Sequence, residues 1–352
     1  MINYMSKPGY NFIDRLTHRL ALQSKAVAEI SFDIENSLVK RGEQPLADNH
    51  VFISGLARSG TTILLQYLHN TGCFRSLTYR DMPFVLMPNT WKKLSHQKEH
   101  IEYKERAHKD GIMISPDSPE EFEEVFWRVF CGKEYILKNR LQLHKVDEEV
   151  EKGFKNYISN VLISAEGKNQ TRYLSKNNNN VLRLNYLQKA FPASHIIIPF
   201  RNPLQHSISL LNQHIHFSKI QQEDKFILNY MNWLGHFEFG LNQKPFFLND
   251  GDVFGKMQGY AKTDVNFWLL SWKNYYQYVA GHHTTNTIFF NYDKFCQNPA
   301  PALATLFKQL NIVTTATTLQ PFTPLVKTVN GVDETLLGEC NLIYKQLEGR
   351  CS

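Results

Sequence analysis

The stretch VFISGLARSGTT, residues 51–62, decides the fold. Its first four residues are an aromatic and β-branched run that predicts a strand, and the apolar periodicity after the loop predicts a helix. Gly55 and Gly60 have the spacing of the phosphate-binding pattern G-x-x-x-x-G-K-[ST], but Thr61 replaces the lysine, and Arg58 is the cation. A glycine-rich turn that enters a helix N-terminus aims backbone N–H groups at one point. We therefore predict a loop that binds a phosphate or sulfate group, rather than a tight turn without a ligand.

Three further apolar runs have the length of strands, and each precedes a stretch with helical periodicity. They are RYLSK (172–176), HIIIPF (195–200) and TIFFNY (287–292). Strands that alternate with helices predict an α/β fold with a central parallel sheet flanked by helices, a P-loop-like three-layer sandwich. Helical insertions are expected at about 82–170 and 218–262, where they would form a pocket for a second ligand.

The N-terminal part, about residues 10–45, is predicted to be a helical cover on a single domain that spans residues 1–352. Its apolar residues recur at spacings of three and four, which predicts one long amphipathic helix with one buried stripe. The stripe consists of Phe12, Leu16, Leu20, Val27, Ile30, Ile34 and Leu38.

Composition excludes several classes of protein. Lys and Arg (39) exceed Asp and Glu (33) by 6, without the dense basic stripe expected of a nucleic-acid-binding protein. The five cysteines form no C-x-x-C pair, which indicates reduced thiols. The N-terminus lacks the apolar core of a signal peptide, and no stretch is long and apolar enough to span a membrane. These features predict a cytoplasmic protein; its oligomeric state cannot be read from the sequence.

A second anion-binding element is predicted in IIIPFRNPLQHSISLL, residues 196–211. Arg201 would stand at the carboxyl end of a strand, where its planar donor fork could bind a phosphate, and Ser209 would lie two turns into the next helix. Pro203 suits the first turn of that helix. Taken alone, such an Arg-Asn-Pro turn is more typical of a surface turn; beside the first loop, the phosphate site is favoured.

The segment GLARSGTTILLQYL resembles the 5′-phosphosulfate loop of sulfotransferases that use 3′-phosphoadenosine 5′-phosphosulfate (PAPS). The resemblance implies that Arg58 contacts the sulfuryl and 5′-phosphate oxygens, while Ser59, Gly60, Thr61 and Thr62 surround the 5′-phosphate. It implies PAPS as co-substrate, 3′-phosphoadenosine 5′-phosphate (PAP) as product, and no metal, because the mixed anhydride of the donor is already activated.

The resemblance extends over roughly residues 48–310. Arg201, Asn202, Pro203 and Ser209 match the family's second signature, which implies that Arg201 and Ser209 bind the 3′-phosphate. YLSKNNNNVLRLNYLQKAFP resembles the family's middle strand and helix and implies that Lys176 reaches the bridging oxygen or the sulfuryl group. Arg183 is then a salt-bridge partner or a secondary phosphate contact. More closely, SLTYRDMPFVLMPNTW, SPEEFEEVFW and FRNPLQHSISLLNQH together look like a group of bacterial sulfotransferase-like proteins; no counterpart of the animal enzymes' C-terminal glycine-bearing basic loop is present.

The general base is predicted at Asp81, twenty-three residues beyond Arg58, as is common in carbohydrate and tyrosyl sulfotransferases. An ion pair between Asp81 and Arg80, or a helix cap, is an equal alternative. The second choices are Glu120, Glu121 and Glu124, although an acidic first helical turn after an N-cap at Ser118 is more typical of a solvated face.

The leading hypothesis is a PAPS-dependent sulfotransferase that acts on a hydroxyl or amine of a small molecule, carbohydrate or lipid. A P-loop kinase or nucleotide hydrolase would need a lysine at position 61 and an acidic strand end for magnesium. An inactive protein that binds PAP is the third hypothesis. Zinc at His214 and His216 is disfavoured for want of a further ligand, and the aromatic stripe Trp268, Trp272 and Tyr276 is more typical of core packing than of an adenine site.

Overall fold

The computed structural model describes most of the chain. The described residues are 12–40, 48–95, 104–105, 113–167, 169–249, 251–313 and 326–351.

The strands of these residues are short. They are β1 (Val51–Ile53), β2 (Phe74–Arg75), β3 (Lys104–Glu105), β4 (Met113–Ile114), β5 (Leu141–Gln142), β6 (Arg172–Lys176), β7 (His195–Phe200), β8 (Phe246–Phe247) and β9 (Thr287–Asn291). The α-helices are α1 (Phe12–Gln23), α2 (Lys25–Leu38), α3 (Thr61–His69), α4 (Pro88–Leu94), α5 (Glu124–Tyr135), α6 (Glu148–Ile163), α7 (Leu184–Ala190), α8 (Pro203–Glu223), α9 (Lys225–Leu234), α10 (Asp252–Met257), α11 (Val265–Gly281), α12 (Tyr292–Gln297), α13 (Pro299–Gln309) and α14 (Glu334–Glu348).

A parallel five-stranded sheet organises the molecule, in the order β2-β6-β1-β7-β9. Ile53 at the end of β1 lies opposite Lys176 of β6 on one side and Ile197 of β7 on the other. The neighbours of β1 in the sheet, β6 and β7, both follow it in the chain and lie on opposite sides of it. Such a reversal of direction is a topological switch point, where α/β proteins bind ligands. The predicted α/β class is confirmed, and the four predicted strands agree with the observed ones to within one residue.

Both faces of the sheet are covered, as a buried parallel sheet requires. Val51 and Ile53 point to a core formed with α3, α12 and α13, while Phe52 points to a larger core on the other face. Because side chains alternate along a strand, this short β1 contributes to both cores. The carboxyl edge of the sheet is thereby fixed from both sides.

The N-terminal cover differs from the prediction in two ways. It is two helices, because the side chain of Ser24 accepts a hydrogen bond from the backbone N–H of Val27 and starts α2. The predicted stripe is also not the buried face, since Leu16, Leu20 and Ile30 are 45%, 59% and 56% exposed. Ile34 and Leu38 are exposed as well. Phe12 has no described side chain.

A different face of α2 is buried because it carries a polar anchor. Glu35 is fully buried, and its carboxylate accepts hydrogen bonds from the backbone N–H groups of Asn89 and Thr90 and from both of their side chains. These donors belong to the first turn of α4, so a carboxylate compensates the positive end of that helix. The apolar spacing of the sequence could not reveal this contact.

Candidate active site

The loop between β1 and α3 has the shape of an anion cradle. Arg58 and Gly60 both have positive φ angles, +70° and +93°, which curl the backbone N–H groups toward one side. Among the described residues no side chain caps the N-terminus of α3 at Gly60. A Cβ atom on Gly60 would lie 2.2 Å from Cδ2 of Tyr292, so glycine is required there by packing as well as by conformation.

The two sequence elements that were predicted to bind one ligand meet in space. Arg58 Nε donates a hydrogen bond to Ser209 Oγ at 3.4 Å, although the two residues are 151 positions apart. One turn earlier on α8, His206 Nε2 donates to the carbonyl oxygen of Ala57 at 2.7 Å. Burial lowers the pKa of His206 to about 3, so this imidazole is neutral and acts as a fixed support for the loop. Helix α8 thus holds the loop directly.

Arg201 follows β7 at the same edge. Its side chain is 13% exposed, and its Nε lies 3.9 Å from Asp293 Oδ1, too far for a hydrogen bond. That buried Nε has no hydrogen-bond partner. The guanidinium lies 5.5 Å from the centre of the Tyr292 ring, the same ring that packs on Gly60. Its backbone is held by Trp272 Nε1, which donates to the Arg201 carbonyl at 3.2 Å.

Helix α8 begins directly after Arg201. The side chain of Asn202 accepts from Gln205 N at 3.1 Å, and Pro203 occupies the first turn as predicted. The backbone N–H of Asn202 donates to Asp293 Oδ2 at 2.6 Å. The start of the helix, and with it the position of Arg201, is therefore fixed by local capping and by α12.

Lys176 ends β6 on the other side of the loop. Its ammonium group is 7% exposed and lies 2.8 Å from Glu121 Oε2 and 3.2 Å from Glu120 Oε1. Three adjacent strands thus each bring a cation to this edge of the sheet: Lys176 ends β6, Arg58 lies in the loop after β1, and Arg201 follows β7. Within the described part of the chain, Ser59, Thr61 and Thr62 are buried in the wall of the same loop.

Sequence comparison agrees with this geometry. The sequence model described as "Sulfotransferase family" matches residues 50–243, more than half of the chain. The chain belongs to the sulfotransferase family. No curated protein matches the chain closely enough in sequence to count as a relative.

Several solved sulfotransferases resemble the chain loosely. The sulfotransferase STF9 from Mycobacterium avium has 13% identity and a TM-score of 0.43, covering 95% of this chain and 75% of its own. The sulfotransferase from Alicyclobacillus acidocaldarius has 12% identity and a TM-score of 0.41, covering 87% and 94%. The sulfotransferase domain from the curacin biosynthetic pathway has 13% identity and a TM-score of 0.39, covering 86% and 99%. At these scores the likenesses carry no conclusion about function.

The acidic segment before α5 lies in the interior of the protein rather than on its surface. The helix begins at Glu124 and not after Ser118, which forms a turn with Ser115 instead. Glu121 and Glu124 are fully buried, and the side chain of Glu120 is 12% exposed. The prediction of a solvated acidic turn is therefore wrong: Phe122, between the two pairs of glutamates, and Phe126 after them are buried and draw the segment into the core.

A charge array, partly buried at its far end, extends from Lys176 to the second insertion. The array is Lys176, Glu121, His236 and Glu238, with Asn178 between them. His236 Nδ1 lies 3.3 Å from Glu238 Oε1, and Asn178 donates to Glu238 Oε1 at 3.1 Å and, through its backbone, to Glu121 Oε1 at 2.5 Å. The sequence analysis missed His236 and Glu238. The signal was the alternation HFEF, which places both polar side chains on one side of an extended segment.

The array shifts the pKa of each member. Burial raises the pKa of Glu121 to about 7, against the opposing charge of Lys176. Burial alone would lower the pKa of His236, but the charge and hydrogen bond of Glu238, with the charge of Glu121, raise it to about 9. The pKa of Glu238 falls to about 2, because His236 and Asn178 outweigh the effect of burial. At neutral pH, His236 and Glu238 therefore form an ion pair.

The same residues have the geometry of a metal site, since one ligand atom each of Glu121, His236 and Glu238 lie within 4.8 Å of one another. Two cations oppose this use. Lys176 already lies 2.8 Å from Glu121, and protonated His236 cannot coordinate a metal. The absence of a metal stays a prediction. His214, which was considered as a ligand, instead accepts the backbone N–H of Gly240 at 3.2 Å.

Asp81 has contacts that favour its structural alternative. Its carboxylate accepts two hydrogen bonds from Arg75 Nη2, at 2.8 and 3.0 Å, and one from Thr78 N at 2.7 Å. It caps the short 3₁₀ helix Tyr79–Asp81 and is 6% exposed. Arg80 pairs with Asp117 instead. These contacts hold the Asp81 carboxylate within its own turn, which opposes the predicted catalytic role.

Arg183 and Glu124, which the sequence offered as candidate site residues, have structural roles. Arg183 and Glu124 form a bidentate ion pair, both fully buried, with the guanidinium 4.5 Å from the centre of the Trp127 ring. Arg183 is thus the salt-bridge partner that the sequence allowed. The run of four asparagines, 177–180, is also buried, and Asn177 donates to Glu124 Oε2 at 2.8 Å. The aromatic stripe Trp268, Trp272 and Tyr276 is core, since each side chain is at most 2% exposed.

An inner cavity adjoins the loop on the side of the second insertion. It is lined by Leu56 and Ala57 of the loop, by Asn179 and by Glu238, together with residues of α11. The cavity is thus bounded by the loop on one side and, through Glu238, by the charge array on another. Among the helices of the described residues, none is long and apolar enough to span a membrane.

Proposed function

We propose that the chain is a PAPS-dependent sulfotransferase that transfers a sulfuryl group to a hydroxyl or amine of a small acceptor. The observation that carries this proposal is the contact between Arg58 and Ser209. It brings the loop after β1 and the helix after β7 to one place, beside Lys176 of β6. A bisphosphorylated nucleotide needs two such anion sites on neighbouring strand ends.

The residues present fit PAPS. The buried Nε of Arg201 lacks a partner, as expected of a donor that a phosphate would satisfy. Gly60 keeps the backbone open at a helix N-terminus, which suits the 5′-phosphate. We therefore assign the 5′-phosphate to Arg58, Ser59, Gly60, Thr61 and Thr62. The 3′-phosphate is assigned to Arg201 and Ser209, and PAP would bind in the same way.

When bound, PAPS would supply an activated sulfuryl group. The chain contributes positive charge where negative charge gathers on the transferred group. Arg58 offers a fixed guanidinium from within the loop, and Lys176 offers an ammonium group that Glu120 and Glu121 hold in place. Because Lys176 is 7% exposed, little water competes for its charge.

We propose Glu120 as the general base in place of Asp81. Its carboxylate accepts from Glu121 N at 3.0 Å, from Lys176 Nζ at 3.2 Å and from Tyr79 OH at 3.3 Å, and its side chain is 12% exposed. Glu121 is fully buried between Lys176 and Asn178, so an acceptor cannot reach it. Among the second choices from the sequence, Glu124 is bound to Arg183. Glu120 thus combines access with contact to Lys176.

The kinase or hydrolase alternative is not supported by the strand ends. β1, β6 and β7 are followed by Ser54, Asn177 and Arg201, and none of these is a carboxylate that could bind magnesium. An inactive PAP-binding protein would keep the phosphate contacts and lack transfer. The helical insertions at 82–170 and 218–262 remain the proposed walls of the acceptor pocket, and the cytoplasmic location stays a prediction.

The test is transfer of label from ³⁵S-PAPS to acceptors in fractionated cell extract. We expect a labelled product with the native chain and none with Glu120→Gln, while both chains bind PAP in calorimetry. PAP binding without labelled product from any fraction would favour the inactive PAP-binding protein. Stabilisation by ATP with magnesium but not by PAP would favour the kinase.

A further inference from the structure

A second pocket opens at the surface next to the inner cavity. Its volume is about 340 Å³, within the range of small-molecule sites. We call it the basic pocket, and its charged lining residues are Lys138, Lys244 and Lys262. Among its described lining residues there is no aspartate or glutamate. Three positive charges therefore share one concave surface without a carboxylate.

The two inner lysines are held in position by backbone oxygens. Lys244 Nζ donates to the carbonyl oxygens of Leu137 at 2.8 Å and Lys138 at 2.6 Å. Lys262 Nζ donates to the carbonyl oxygen of Gln243 at 2.6 Å. Burial lowers the pKa of both lysines, and the charge of Lys244 lowers that of Lys262 further. Repulsion between the two ammonium groups is thus uncompensated among the described residues, and a bound anion would relieve it.

The basic pocket is joined to the site of the reaction. Gln243, Lys244, Pro245 and Met257 line both the basic pocket and the inner cavity, whose far wall is the phosphate loop. The side-chain oxygen of Gln243, which lines both spaces, is buried and has no hydrogen-bond partner, so it is an unsatisfied acceptor at the boundary between them. The basic pocket and the loop therefore lie on opposite sides of the inner cavity.

We propose that the basic pocket binds an anionic group of the acceptor. This inference rests on the proposed function, since it concerns the acceptor of the same site. The acceptor would present a hydroxyl or amine at the loop and a carboxylate, phosphate or sulfate at the lysines. Lysine binds such groups as a point charge, without selecting a planar shape. A neutral phenol or sugar would leave the three charges uncompensated.

The test uses inorganic sulfate as the probe, in a full-length chain with Arg58→Ala and Arg201→Ala so that the nucleotide site no longer competes. Thermal unfolding is followed against sulfate at constant ionic strength. The same titration is made with Lys244→Gln and Lys262→Gln added, and with Lys152→Gln and Lys189→Gln as the matched control, because these two lysines are exposed and lie outside the pocket.

We expect sulfate to raise the melting temperature, and the loss of both pocket lysines to raise the half-saturating sulfate at least tenfold, with no change in the control. An equal response of the pocket variant and the control would overturn the inference, as would the absence of any response to sulfate beyond that to chloride. If the pocket variant does not fold, the exposed Lys138 is replaced instead, as Lys138→Glu. We then expect the half-saturating sulfate concentration to rise at least threefold, and an unchanged concentration would overturn the inference.

The proposed function and the anionic acceptor can be refuted independently of each other. Lys244→Gln with Lys262→Gln in the otherwise native chain should bind PAP as the native chain does. Loss of PAP binding by the native chain would refute the proposed function, whereas loss of the sulfate effect alone would refute the anionic acceptor.

Discussion

Replacing Arg201 by Ala should separate the two phosphate sites. The guanidinium is mostly buried, its Nε is unpaired, and its nearest carboxylate, on Asp293, is 3.9 Å away. A charge-assisted hydrogen bond to a phosphate contributes about 1.5–3 kcal/mol. Since 1.4 kcal/mol is a factor of ten, the Kd for PAP should rise about 10- to 150-fold.

The folded state should lose little by this change. The side chain of Arg201 otherwise contacts the carboxylate of Asp293 and the ring of Tyr292, which together contribute about 1–2 kcal/mol. Asp293 keeps its hydrogen bonds from Asn202 N and Tyr344 OH. A weaker affinity can therefore be attributed to the lost phosphate contact rather than to unfolding.

The assay is calorimetry with two ligands. PAP carries the 3′-phosphate, and 5′-AMP lacks it, so Arg201→Ala should weaken PAP alone. Arg80→Ala is the matched control, because that arginine pairs with Asp117 outside the site and should change neither affinity. Unaltered PAP affinity in Arg201→Ala, or an equal loss for 5′-AMP, would refute the assignment.

Three further predictions follow from the same geometry. Gly60→Ala should abolish PAP binding measured by calorimetry, because its Cβ would lie 2.2 Å from the Tyr292 ring; normal affinity would show that the loop can move. Glu120→Gln should remove turnover with PAP affinity kept, whereas Asp81→Asn should lower the melting temperature and leave the folded enzyme active; the opposite pattern would return the base to Asp81. For His236, the pKa rises from 6.5 to about 9 on folding, so its stabilisation is complete below pH 6.5 and is lost as the pH rises through 9. The free energy of unfolding should thus fall by up to about 1.4 kcal/mol per pH unit between pH 7 and 9, and less steeply in His236→Gln; parallel pH profiles would contradict this.

The sequence predicted the sheet well because its strands are buried on both faces. Such strands are short β-branched or aromatic runs, and HIIIPF at 195–200 became β7 without change. The two strand-to-helix junctions could also be predicted, since both depend on residues close together in the chain; that they bind phosphate is part of the proposed function. That they meet depends on strand order, which the resemblance implied and local patterns did not.

The rest depended on contacts between distant segments. Apolar spacing could not predict which face of α2 is buried, because the buried carboxylate of Glu35 caps α4, far along the chain. The array of Glu121, His236 and Glu238 is formed by two insertions that sequence spacing does not relate. Asp81 lies at the expected number of residues from Arg58, but in the structure its carboxylate forms an ion pair with Arg75.

The most direct measurement of the central claim is a crystal structure of the chain with PAP. We predict the 5′-phosphate within the loop of residues 55–61, with the guanidinium of Arg201 bound to the 3′-phosphate and Lys176 facing the vacant sulfuryl position. PAP bound elsewhere, or lying in the cleft with Arg201 turned away from it, would contradict the account.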